Sequence, residues 1–109
     1  MNTNKLKTNQ SLKALEKIIG KKPTMGDYLL ALRECREETQ GDFADILNVS
    51  RQYLCDIEKN RRVISAGTAA KFAQKLGYPQ ELFIKLALED ELHQAGLSYQ
   101  VELKICRAA

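Results

Sequence analysis

Residues 39–60 decide the fold and read TQGDFADILNVSRQYLCDIEKN. Thr39 can cap the N-terminus of a helix, and the apolar side chains that follow it recur at the spacing of one helix face. These inward-facing residues are Phe43, Ala44 and Leu47. Asn48 then tolerates the left-handed backbone conformation that ends a helix. The stretch therefore begins with a short helix over 40–47 and a tight turn.

A second helix is predicted directly after this turn. Ser50 can cap it, and Val49 before the cap is expected to be buried. Leu54 and Ile57 stand at helical spacing and are predicted to face the core. The side chains expected on its other faces are Arg51, Gln52, Cys55, Asp56 and Lys59. The stretch thus predicts two short helices that meet at a turn of a few residues.

Three further helices are predicted around this pair. The first is capped by Thr24 and runs to about Glu38. The second is capped by Ser65 and closed by Gly77, and the third occupies residues 79–96. Each carries an apolar stripe at helical spacing, so residues 23–96 are expected to share one core.

The two ends of the chain lie outside this unit. Residues 1–22 are predicted to form a basic N-terminal arm that includes a short amphipathic helix over 11–19. Apolar and polar residues alternate over 97–106, which predicts a half-buried β-strand. Because a lone strand leaves its backbone groups unpaired, we expect residues 97–109 to pair with a second copy or another protein.

Composition limits the class of protein. The chain has 109 residues, 44% of them hydrophobic, which suffices for one modest core. No stretch approaches the ~20 apolar residues of a membrane span, and the lysines near the N-terminus are not followed by the apolar run that a secretory signal needs, so we expect none. Three cysteines without a C-x-x-C pair favour neither disulfides nor zinc. With one histidine and no catalytic motif, we expect a cytoplasmic protein without catalytic residues, metal or cofactor.

Positive charge is concentrated in two places, although the net charge is only +3. Residues 1–22 carry six lysines against one glutamate. Residues 51–62 carry four basic side chains against two acidic ones. Because nucleic acids bind local basic patches, this distribution indicates a nucleic-acid partner.

Residues 39–60 closely resemble the helix-turn-helix of the phage-repressor, Cro-like and xenobiotic-response-element (XRE) family. The residues that match the family pattern are Gln40, Ala44, Asn48, Val49, Ser50, Ile57 and Glu58. The resemblance extends from about Thr24 through Tyr78 and implies an all-α fold, a five-helix lambda-repressor-like DNA-binding domain. The patterns above add an N-terminal helix and a C-terminal β-strand to it.

The resemblance also implies roles for individual side chains. Those expected to contact bases are Gln40, Arg51, Gln52 and Asp56, and those expected to contact phosphates are Tyr53, Lys59, Asn60 and Arg61. Arg can bridge guanine and Gln can bridge adenine. Two alternatives stay open for Asp56: it accepts a hydrogen bond from cytosine, or it lies outside the interface. A salt bridge between Arg33 and Glu58 is implied as well.

The function expected from these features is sequence-specific transcriptional regulation. The chain would act as a repressor that binds a two-fold symmetric duplex DNA operator as a homodimer. The alternative is the antitoxin of a toxin–antitoxin pair, which binds a toxin protein and represses its own operon. The apolar faces of residues 11–19 and 97–105 would suit such a partner. An enzyme is disfavoured by the missing motifs, and a scaffold that does not bind DNA is the remaining class.

Overall fold

A computed structural model of the protein describes residues 13–18 and 20–106. This part of the chain contains six helices and no strand. They are α1 (13–18), α2 (Met25–Cys35), α3 (Gln40–Leu47), α4 (Arg51–Glu58), α5 (Ala66–Leu76) and α6 (Gln80–Gln94). None of these helices is long and apolar enough to cross a membrane. Most of the predicted N-terminal arm, together with the two ends of its helix, lies outside the described residues.

The predicted N-caps of four helices are confirmed. The hydroxyl oxygens of Thr24, Thr39, Ser50 and Ser65 each accept a hydrogen bond from the backbone N–H three residues later. Thr24 also forms a full capping box, because the Asp27 carboxylate accepts from the Thr24 N–H. These bonds satisfy amide groups that a helix leaves unpaired at its start.

Helix ends follow the predicted left-handed residues with one exception. Asn48 ends α3 at φ 60°, and Gly77 ends α5 at φ 77°. The prediction that α2 continues to about Glu38 is wrong, because α2 ends at Cys35. Glu37 has a positive φ of 53°, which a continuing right-handed helix does not allow. The chain turns there, and the Glu38 N–H donates to the carbonyl of Arg33.

One hydrophobic core joins α2 to α6. Its members are Met25, Tyr28, Leu29, Leu32, Phe43, Ala44, Leu47, Leu54, Ile57, Ile64, Ala69, Phe72, Ala73, Leu76, Leu82, Phe83, Leu86 and Ala87. Phe83 lies near its centre, in edge-to-face contact with Tyr28 and stacked on Tyr78. Val49, expected to be buried, is half-buried and packs against the edge of the core.

α2 crosses the end of α4 at a contact that only glycine allows. A Cβ atom added to Gly26 would lie 2.0 Å from the carbonyl oxygen of Ile57 and 2.8 Å from Oδ1 of Asn60. The backbone of one helix therefore approaches the backbone of the other without an intervening side chain. This close approach sets the position of α4 relative to the rest of the fold.

The C-terminal β-strand predicted from alternating residues is wrong. Residues 97–106 have no regular secondary structure, and the apolar side chains of Tyr99 and Ile105 are 67% and 79% exposed. A strand needs a neighbour to take its backbone hydrogen bonds, and the described part of the chain supplies none. The N–H of Val101 instead donates to the carboxylate of Glu89 on α6 at 2.8 Å.

Candidate nucleic-acid interface

α3 and α4 form two short helices around a three-residue turn. The left-handed backbone of Asn48 reverses the chain, and the N–H of Val49 donates to the carbonyl of Ala44 at 3.0 Å. Leu54 and Ile57, on the inner face of α4, are fully buried. Arg51 and Gln52, in its first turn, are exposed. α4 is therefore held by one face while its N-terminal side chains extend into solvent.

Glu58 at the end of α4 accepts hydrogen bonds from two other helices. Its carboxylate accepts from Nε and Nη2 of Arg33 at 2.8 and 3.1 Å, and from Nε2 of Gln40 at 2.9 Å. The Glu58 side chain is only 3% exposed. Its hydrogen bond to Arg33 raises the pKa of that guanidinium, in opposition to burial. A bidentate ion pair thus joins the end of α4 to α2.

Gln40 connects this ion pair to the exposed end of α4. Because its Nε2 donates to Glu58, its Oε1 is left to accept, and it does so from Nη1 of Arg51 at 3.4 Å. A carboxylate cannot donate, so Glu58 dictates the orientation of the Gln40 amide. The predicted base contacts Gln40 and Arg51 are brought together here, although Gln40 already uses both amide atoms within the protein.

Gln52 and Asp56 form a second pair, one turn apart on the exposed side of α4. Nε2 of Gln52 donates to Oδ1 of Asp56 at 3.0 Å, and Nη1 of Arg61 lies 3.7 Å from the same oxygen. The partly exposed Asp56 is therefore flanked by two of the other predicted contacts. This arrangement offsets part of the negative charge that makes a carboxylate unfavourable near phosphates.

The basic side chains after α4 differ in their surroundings. Lys59 is the exposed C-cap residue of α4. The guanidinium of Arg62 lies 4.6 Å from the ring centre of Tyr53, within range of a cation–π interaction. Arg62 was not among the predicted contacts, although its place in the basic loop was a signal for it. Arg62 thus adds a further exposed basic group beside Tyr53, next in the chain to Arg61.

Asn60 is held by the start of α2. Its Oδ1 accepts from the Thr24 hydroxyl at 2.6 Å, and its Nδ2 donates to Asp27 at 3.3 Å. Its backbone is left-handed, with φ 60°. The phosphate contact predicted for Asn60 would require these bonds to be exchanged. In the structure as it stands, Asn60 ties the loop after α4 to the α2 capping box.

Asp90 on α6 supports α2 from the other side. Its Oδ2 accepts from the backbone N–H of Met25 at 3.0 Å. Burial raises the pKa of Asp90 to about 6, and the nearby charges of Asp27 and Glu89 act in the same direction. The Met25 N–H and His93 oppose this rise. Sequence reasoning missed Asp90 because its partner lies 65 residues earlier in the chain.

The chain is similar in sequence to known helix-turn-helix proteins. Residues 32–83 match the family described as Helix-turn-helix. The chain is 33% identical over 88 residues to the HTH-type transcriptional repressor RghR of Bacillus subtilis (strain 168), an alignment that covers 79% of this chain and 65% of that protein. The chain thus spans somewhat less than two thirds of the length of this curated relative. No solved structure gives a significant match.

Proposed function

We propose that this chain, whose residues 32–83 match the helix-turn-helix family and which resembles a transcriptional repressor of that type, is an XRE-type transcriptional repressor that binds duplex DNA. One observation carries the proposal. α4 is anchored by its buried face and by Glu58, while Arg51 and Gln52 stand exposed in its first turn. A helix held in this way can place its N-terminal side chains against base edges in the major groove.

The two exposed side chains suit different bases. The guanidinium of Arg51 can donate to both O6 and N7 of guanine, and the amide of Gln52 can pair with N6 and N7 of adenine. Each such contact discriminates between bases by about 1–3 kcal/mol. Gln40 holds Arg51 from one side and supplies a third polar group at the same surface. Base reading by α4 therefore rests on two side chains that the protein itself orients.

The basic surface around the end of α4 would supply affinity. Lys59 and Arg61 are exposed and would neutralise phosphates, while the Tyr53 hydroxyl would donate to one. Such contacts position the protein on the duplex without reading sequence. Binding would therefore be strongly weakened by salt.

We also propose that the repressor acts as a homodimer on an operator with two-fold symmetry. The large apolar side chains that are exposed in the described residues lie outside α2 to α6; they are Ile18, Leu97, Tyr99 and Ile105. Apolar side chains that cluster at the surface mark protein contacts, and three of these four lie close together in sequence, within residues 97–105. A dimer would place its two recognition helices one DNA turn apart, about 34 Å. The repressor role itself is drawn from the name of the Bacillus subtilis relative.

The same exposed side chains favour a second candidate function, an antitoxin that binds a toxin protein and represses its own operon. The two candidates differ in what occupies the apolar surface of residues 97–106. Co-expression with the neighbouring reading frames, followed by purification and mass measurement, separates them. A stoichiometric complex with a neighbouring gene product supports the antitoxin, and a homodimer alone opposes it.

Selection of bound duplexes from a random pool, at one stated salt concentration, tests the repressor proposal. Wild type is expected to enrich an inverted repeat whose half-sites lie about 34 Å apart. The double variant R51A/Q52A is the matched comparison, since both residues are exposed and their loss should leave the fold intact. Absence of any sequence enrichment by the wild type would contradict the proposal.

A further inference from the structure

We propose that Asp56 is a specificity-determining residue: it orients the amide of Gln52 so that α4 selects adenine over guanine at the base that Gln52 reads. The inference rests on the proposed DNA-binding function and deepens it. Asp56 then acts by positioning another side chain. This role differs from both alternatives expected from the sequence, a hydrogen bond from cytosine or a place outside the interface.

The orientation of the Gln52 amide follows from the chemistry of its partner. Oδ1 of Asp56 lies 3.0 Å from Nε2 of Gln52. An ionised carboxylate offers only acceptors, so the –NH₂ end of the amide must face it and Oε1 must face away. Gln52 and Asp56 are four residues apart on α4, a spacing at which Gln–Asp pairs form on helix surfaces. The pair therefore forms within one helix, without help from the rest of the fold.

Asp56 is itself held in place. Nη1 of Arg61 lies 3.7 Å from the same Oδ1, and the Asp56 side chain is only partly exposed. A guanidinium attracts a carboxylate at this distance and so helps to hold its side chain in position. The acceptor that orients Gln52 thus lies beside a basic group, on the face of α4 that the proposed function directs to DNA.

The fixed amide matches adenine and opposes guanine. In the major groove adenine presents the N6 amino donor and the N7 acceptor, whereas guanine presents two acceptors, O6 and N7. With one Nε2 hydrogen donated to Asp56, Gln52 retains Oε1 to accept from N6 and its second N–H to donate to N7. Against guanine, Oε1 would face O6, acceptor against acceptor, unless the amide turned and lost its bond to Asp56.

The test repeats the duplex selection with four proteins in parallel: wild type, Q52A, D56N and D45N. Q52A identifies the base that Gln52 reads, because preference is lost at that position. D56N replaces the carboxylate by an amide of the same shape, which can donate to Oε1 of Gln52 as readily as it can accept from Nε2. D45N makes the same change of charge on α3, at an exposed residue. D56A is the second variant should D56N fail to fold, and circular dichroism checks helicity.

The expected result is a change at one base position only. Wild type should prefer adenine over guanine there on the order of tenfold or more. D56N should reduce that preference to within about threefold, leave the other positions unchanged, and bind all duplexes more tightly because a negative charge is gone. D45N should share the tighter binding and keep the preference.

Three results would overturn the inference while sequence-specific DNA binding stands. One is an adenine preference that D56N retains at the position lost in Q52A, and another is an equal loss in D45N. A Q52A selection indistinguishable from wild type also overturns it, because Gln52 then reads no base. If wild type enriches no sequence at all, the proposed function itself has failed, and that outcome is distinct from the other three.

Discussion

The guanidinium of Arg33 and the carboxylate of Glu58 meet in two hydrogen bonds, of 2.8 and 3.1 Å, that join α2 to the end of α4. Glu58 also accepts from Gln40, which in turn accepts from Arg51. A chain of four side chains thus connects a part-buried ion pair to the exposed Arg51 at the start of α4. The orientation of the proposed base-reading helix therefore depends on a contact at its C-terminal end, whereas Arg51 and Gln52 lie in its first turn.

Removal of Arg33 should lower stability before it alters base preference. In R33A the nearly buried Glu58 carboxylate would keep Gln40 but lose its positive partner, at a cost of about 3–5 kcal/mol in the free energy of unfolding. Urea unfolding measures this loss. R36A is the matched control, because Arg36 pairs with Glu38 at a more exposed site and should cost less than about 1 kcal/mol. Altered operator selectivity at unchanged stability would contradict the prediction.

A methyl group at position 26 should separate α2 from α4. G26A places Cβ 2.0 Å from the Ile57 carbonyl oxygen, so the helices must move apart, and overpacking of this kind costs about 1–3 kcal/mol. G41A is the control within a helix, since a Cβ there meets nothing within 4 Å; it should stabilise the protein by about 0.5–1 kcal/mol. Thermal unfolding compares the two. Equal effects of both variants would refute the close-approach argument.

Stability should depend on pH through Asp90. Because burial raises its pKa to about 6, the folded state holds a proton that the unfolded chain releases near pH 4. Its contribution to stability is thus complete below about pH 4 and is lost as the pH rises through about 6. D90N keeps an acceptor for the Met25 N–H and cannot ionise.

The difference in unfolding free energy between D90N and wild type isolates this group from the other carboxylates. It should grow in favour of D90N from about pH 4 to 6 and stay constant above. Urea unfolding at several pH values measures it. Parallel pH profiles for the two proteins would show that ionisation of Asp90 does not oppose folding.

Loss of Lys59 should weaken DNA binding without changing its sequence preference. If Lys59 neutralises one phosphate, K59A should reduce the slope of log K against log salt concentration by about 0.9. K71A removes the same charge from an exposed position on α5 and should leave the slope unchanged. Fluorescence anisotropy over a salt series provides the slopes. A change in base preference in K59A would instead assign Lys59 to the bases.

Local patterns predicted most of the helical framework. Caps such as Ser50 and left-handed residues such as Asn48 act within a few residues, so their bonds can be inferred from neighbouring positions. The strand predicted over 97–106 was wrong because alternation describes a side-chain pattern, whereas a strand also needs a partner for its backbone. The end of α2 was predicted too late because glutamate is not a residue type that favours a positive φ, which Glu37 nevertheless adopts.

The contacts that position the candidate site were harder to predict. The close approach at Gly26 and the bond between Thr24 and Asn60 join parts of the chain about thirty residues apart, and no local pattern encodes such contacts. The Arg33 and Glu58 pair was expected only through the family resemblance. The link between Gln52 and Asp56 lies within one helix, so its i, i+4 spacing could have indicated it.

The central claim, that Arg51 and Gln52 read bases, is tested most directly by the ratio of affinities for the selected operator and a scrambled duplex of equal length. The account predicts that R51A/Q52A lowers this ratio by at least about 30-fold, since two contacts worth about 1–3 kcal/mol each are removed. Its unfolding temperature should stay close to that of the wild type. An unchanged ratio in a folded R51A/Q52A protein would contradict the account.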